Sequence, residues 1–66
     1  MKYKIEIWHY CSLADFFESD DIKEVVKWYR SEWKTCYDDG NCCFEVYEYG
    51  RQLSFDEVWE LGFFND

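Results

Sequence analysis

The sequence predicts a single α+β domain over residues 1–66, in the order ββαββα, with an antiparallel sheet carrying both helices on one face. Three observations lead there. Ile5-Glu6-Ile7-Trp8-His9-Tyr10-Cys11 and Phe44-Glu45-Val46-Tyr47-Glu48-Tyr49-Gly50 match position by position, with Glu6 against Glu45, Trp8 against Tyr47 and Tyr10 against Tyr49. Each stretch alternates apolar and polar residues, the period of a half-buried strand. Each is followed by turn residues and then by a helix-start signal. The chain therefore reads as two copies of a strand–turn–strand–helix unit.

Lys2 to His9 is the first strand, by its alternation and its Ile, Tyr and Trp content. Tyr10-Cys11-Ser12 is a turn. Leu13 to Glu18 is read as a second strand. Leu13, Phe16 and Phe17 also fit a helical period, so a three-stranded βαββα arrangement is the fallback. Ser19-Asp20-Asp21 opens a helix. Asp21 and Glu24 form a capping-box pattern, and acids suit the positive end of the helix dipole. Ile22, Val25, Val26, Tyr29, Trp33 and Cys36 recur at helical spacing and would face the sheet. Lys23, Lys27, Arg30 and Lys34 fall opposite, with Trp28 at the edge of the stripe. Asp38-Asp39-Gly40-Asn41 ends the helix by turn chemistry.

Cys42 to Tyr49 is the next strand, Gly50 turns it, and Arg51 to Leu53 returns. Ser54-Phe55-Asp56-Glu57 is a capping box for a helix of about two turns carrying Phe55, Val58, Trp59 and Leu61. Gly62 stops it. Phe63 and Phe64 are expected to fold back as a hydrophobic plug.

A chain this short buries only about 60% of its unfolded surface. Its 16 aromatic residues compensate, because each buried ring removes roughly 150–250 Å² from water. There is no Pro and no Ser/Gly-rich run, so no linker or disordered tail is expected. The N-terminus lacks the apolar run of a signal peptide or membrane span, which predicts a cytoplasmic protein.

The net charge is −8, and it is uneven. Residues 1–37 hold seven acids and six bases, whereas residues 38–66 hold eight acids and only Arg51. Such a domain repels nucleic acid and anionic membranes and attracts a basic surface. Basic surfaces in a cell are mostly those that bind DNA or RNA.

Cys36, Cys42 and Cys43, with His9 or Cys11, could supply four zinc ligands. Structural zinc sites present paired ligands two to four residues apart, whereas adjacent Cys42 and Cys43 point to opposite faces of a strand. No metal or cofactor is therefore expected. Without a secretion signal the cysteines are expected to stay reduced, Cys36 and Cys42 as small core residues and Cys11 and Cys43 exposed. His9 and Cys11 could approach each other, yet no oxyanion site or glycine-rich phosphate loop accompanies them. The chain is not expected to be an enzyme. The acidic pairs Asp20-Asp21, Asp38-Asp39 and Asp56-Glu57 sit at helix starts and turns, where capping explains them.

The alternation separates two sheet faces. Ile5, Ile7, Phe44 and Val46 form the core side. Glu6, Trp8, Tyr10, Glu45, Tyr47 and Tyr49 form an acidic, aromatic side, the candidate binding face. Stacked bases would need a basic surround for their phosphates, so nucleic acid is not the ligand. Carboxylates beside Trp and Tyr rings suit Arg and Lys of a protein partner, each ring holding a cation with about 0.5–2 kcal/mol. Asp56, Glu57 and Glu60 extend the acidic surface. A homodimer built on the aromatic face is the second reading, and a zinc-binding regulatory domain the third.

The tail Tyr49-Gly50-Arg51-Gln52-Leu53-Ser54-Phe55-Asp56-Glu57-Val58-Trp59-Glu60-Leu61-Gly62-Phe63 resembles the ends of small proteins from phages and prophages of Gram-positive bacteria. The resemblance covers under a third of the chain and carries no catalytic signature. It implies a mobile-element origin. Short acidic proteins of that kind include anti-CRISPR proteins and other inhibitors that occupy the nucleic-acid-binding surface of a host protein. The expected function is such a DNA-mimic inhibitor acting in the host cytoplasm, with no functional residue transferred from the resemblance.

Overall fold

Alternating apolar residues flank two tight turns, and the computed structural model, which describes residues 1–33 and 41–64, builds four strands from them. The elements are β1 (Tyr3–His9), β2 (Ser12–Ser19), α1 (Ile22–Glu32), β3 (Cys42–Glu48), β4 (Arg51–Gln52) and α2 (Phe55–Glu60). The strands form one antiparallel sheet in the order β2-β1-β3-β4. The class is α+β, with Leu13–Glu18 forming a strand, so the three-stranded fallback does not apply.

The central seam is the β1–β3 pair. Ile5 faces Val46, Ile7 faces Phe44, and Glu6 faces Glu45. The two matching stretches therefore run antiparallel, related by a local two-fold through the Glu6–Glu45 pair. The ladder is extended at both ends in the same way. The Tyr49 N–H donates to the Lys2 carbonyl at 2.8 Å, and the Tyr10 N–H donates to the Asn41 carbonyl at 3.5 Å. Both tyrosines take positive φ, 57° at Tyr10 and 51° at Tyr49.

β2 pairs with β1 through a bulge. Ile7 faces Asp15 but Trp8 faces Leu13, leaving Ala14 as the extra residue. In a regular strand Leu13 and Phe16 would point to opposite sides. The bulge returns both to the face that carries Trp8. This is why the spacing of Leu13, Phe16 and Phe17 matches two periods at once.

Asp21 caps α1 by accepting from the Lys23 N–H at 2.9 Å. Val25 and Tyr29 are buried, with Ile22, Val26, Trp28 and Trp33 packed against the core. Trp28 stacks on Phe17, with centroids 5.5 Å apart. Lys34, Cys36 and the expected stop at Asp38-Asp39-Gly40 lie outside the described residues. Ser54 and Glu57 complete the capping box of α2 with bonds of 3.3 and 3.0 Å. Gly62 ends the element at φ 90°, a conformation that favours glycine.

Tyr3, Ile5, Val25, Tyr29, Val46, Leu53, Val58 and Phe63 form one core between the sheet and the helices. Both helices thus cover the same sheet face. The expected Phe63-Phe64 plug forms with unequal depth, Phe64 reaching Tyr29 and Phe44 only from the rim. Phe63 is buried, while Phe64 remains exposed against Phe55 and Trp59.

Candidate functional site

The sheet face opposite the helices carries the acidic and aromatic residues. Along the seam the opposed pairs are Lys4 with Tyr47, Glu6 with Glu45, and Trp8 with Cys43. Trp8 and Tyr47 therefore share the face but stand at opposite ends of it, with both carboxylates between them. β2 adds Glu18, Phe16 and Leu13 in register with Lys4, Glu6 and Trp8. Phe16 and Leu13 are exposed, whereas Glu6, Trp8, Glu45 and Tyr47 are half-buried.

The hydrogen bonds repeat the local symmetry. Each aromatic donates to the glutamate two residues before it. The Tyr47 hydroxyl reaches Glu45 Oε2 at 2.6 Å, and Trp8 Nε1 reaches Glu6 Oε1 at 3.4 Å. Lys4 breaks the symmetry, with its Nζ lying 3.1 Å from Glu6 Oε2 and 5.3 Å from the centre of the Phe16 ring. The Tyr47 hydroxyl is held far above its ordinary pKa, first by the bond to Glu45, then by burial and by the charges of Glu45 and Glu6. It therefore remains a donor throughout the physiological range.

Tyr10 and Tyr49 do not join this face, contrary to the expectation from alternation. They occupy the two hairpin turns at opposite ends of the sheet and are 71% and 77% exposed. Side chains alternate only along extended backbone, and the left-handed φ of each tyrosine ends that regularity. Tyr49 instead lies 5.9 Å from the Lys2 ammonium, and Tyr10 packs on His9 with centroids 4.5 Å apart.

The acids of α2 divide by role. Asp56 and Glu60 are exposed and make no hydrogen bond or ion pair among the described residues. Glu57 is structural. It closes the capping box and takes a two-pronged ion pair from Arg51 at 3.1 and 2.8 Å. Those bonds, the Arg51 bond foremost, lower its pKa from 4.5 to about 2.

One exposed feature escaped the sequence reading. Phe55, Trp59 and Phe64 form an aromatic cluster on the surface, with centroids 5.4 to 6.2 Å apart. Phe55 is 68% exposed. The signal was available, because Val58 takes the core position of this short helix and leaves the Phe55–Trp59 pair on its flank.

Cys42 is half-buried, while Cys11 and Cys43 are exposed. Cys36, proposed as core, lies outside the described residues. No group of three or more His, Cys, Asp or Glu side chains is arranged to hold a metal ion among the described residues. No helix among them is long and apolar enough to cross a membrane. No protein-family model matches the chain, and no curated protein or solved structure shows significant similarity to it.

Proposed function

We propose that this protein is a small acidic binding protein, not an enzyme, that occupies the basic nucleic-acid-binding surface of a host protein in place of nucleic acid. The Glu6–Glu45 pair carries this reading. Two carboxylates directly opposite each other on neighbouring strands repel. A single cation, Lys4, lies at ion-pair distance from them among the described residues. Trp8 and Tyr47 stand at either end of the pair, as walls for a flat cation. An arginine of a partner would pair with the carboxylates and stack on a ring. The overall charge of −8 would steer such a partner in.

The resemblance of the tail to phage and prophage proteins supports a mobile-element setting. A nuclease of a CRISPR system is then one target class. RNA polymerase, a repressor or a restriction enzyme presents the same basic chemistry.

The test is capture from a bacterial lysate followed by elution with duplex DNA. The wild-type chain should retain proteins that DNA displaces, and the Glu6→Gln/Glu45→Gln variant should lose them. Retention that DNA does not compete, or that survives the double amide substitution, would overturn the reading.

A further inference from the structure

Two like-charge pairs, opposite in sign, lie on the exposed sides of the two helices. On α1, Lys23 and Lys27 are four residues apart. On α2, Asp56 and Glu60 have the same spacing. All four are exposed, and none forms an ion pair among the described residues. Each pair is self-repelling within its own helix. Glu60 adds to this by standing at the end of α2, where no basic residue meets the negative end of the helix dipole.

Each pair borders a groove with an apolar floor. The basic groove is lined by Lys23, Lys27 and Arg30 over Ile22, Val26 and Leu61. The acidic groove is lined by Glu48, Asp56, Glu57 and Glu60 over Leu53 and Leu61. Leu61 belongs to both, so the grooves adjoin along one residue. Arg30 ties them together, its Nη2 donating to the Gly62 carbonyl at 2.9 Å.

We propose that this helix layer is a homodimer interface, with the acidic groove of each copy seated on the basic groove of the other. A two-fold axis beside Leu61 satisfies both contacts at once, because the complementary grooves sit on either side of it. The contact is then self-complementary and closes at two copies. It sets Lys23 and Lys27 of one copy against Asp56 and Glu60 of the other, relieving both repelling pairs. Apolar floors meet beneath the charges, as interface cores do beneath polar rims. The two open sheet faces turn outwards, so the dimer presents the Glu6–Glu45 face twice.

The experiment is a charge exchange followed by sedimentation equilibrium. The wild-type chain should form dimers at moderate salt, where the long-range repulsion between two copies of charge −8 is screened. Lys23→Glu/Lys27→Glu should be monomeric, and Asp56→Lys/Glu60→Lys should be monomeric. An equimolar mixture of the two should dimerise again, because both contacts in the mixed pair are once more opposite in charge. Circular dichroism of each variant checks folding, and the single pair Lys27→Glu and Glu60→Lys repeats the test if a double variant unfolds. A wild-type chain that stays monomeric throughout the concentration series overturns the proposal. So does a mixture of folded variants that stays monomeric. A dimer abolished by Trp8→Ala but kept by both charge variants would put the contact on the sheet face and overturn it equally.

Discussion

Ile7 and Trp8 are chain neighbours on opposite faces of β1, and their truncations should separate stability from binding. Ile7 is fully buried, and removing such a side chain costs about 2–5 kcal/mol. Trp8 is half-buried on the open face, with one long bond to Glu6. Chemical denaturation should therefore show a large loss for Ile7→Ala and a loss below about 1.5 kcal/mol for Trp8→Ala. An equal loss from the two would mean that the open face is covered by the chain itself. The face was legible in the sequence because period-two alternation needs only extended backbone. Tyr10 and Tyr49 were not, because alternation carries no warning of a left-handed residue. Gly50 after Tyr49 was the one local hint of a turn with positive φ.

Among the elements, α2 depends on a single side chain at its start. Glu57 accepts from the Ser54 N–H and from both arms of the Arg51 guanidinium, linking the helix to β4. Its pKa is lower folded than unfolded, so the ionised form favours the folded state. That contribution is complete above its ordinary value of 4.5 and is lost as pH falls towards about 2. Acid titration of stability should show a decline in that window, and Glu57→Gln should flatten it while lowering stability at neutral pH. A variant that keeps the full acid decline would assign it to other carboxylates. Both helix starts were legible, since Asp21 and Ser54 are cap residues next to apolar spacing. The bulge at Ala14 was not. It depends on which face of β1 the second strand must match, a long-range requirement invisible in the local pattern of Leu13, Phe16 and Phe17. The aromatic cluster is not legible either, because a period assigns Phe55 and Trp59 to a stripe without saying how wide the core beneath it is, and Phe64 lies beyond the helix.

For the molecule as a whole, the charge of −8 on 66 residues opposes compaction. Salt screens that repulsion over about 10 Å at 0.1 M. The melting temperature of dilute, monomeric protein should accordingly rise with sodium chloride. A fall would show that the Lys4–Glu6 and Arg51–Glu57 attractions outweigh the net repulsion. The β1–β3 seam has a further consequence, for the route by which the chain reaches this state. Each hairpin closes over a two-residue turn, an event of about 1–10 μs. The seam must bring at least His9 to Cys42, across half of the chain, before any of its bonds form, so its loop entropy is lost in advance of its contacts. The two halves can therefore assemble separately and meet last. Folding speed is then governed by their encounter along one symmetric ladder, in which each half supplies the strand that the other lacks.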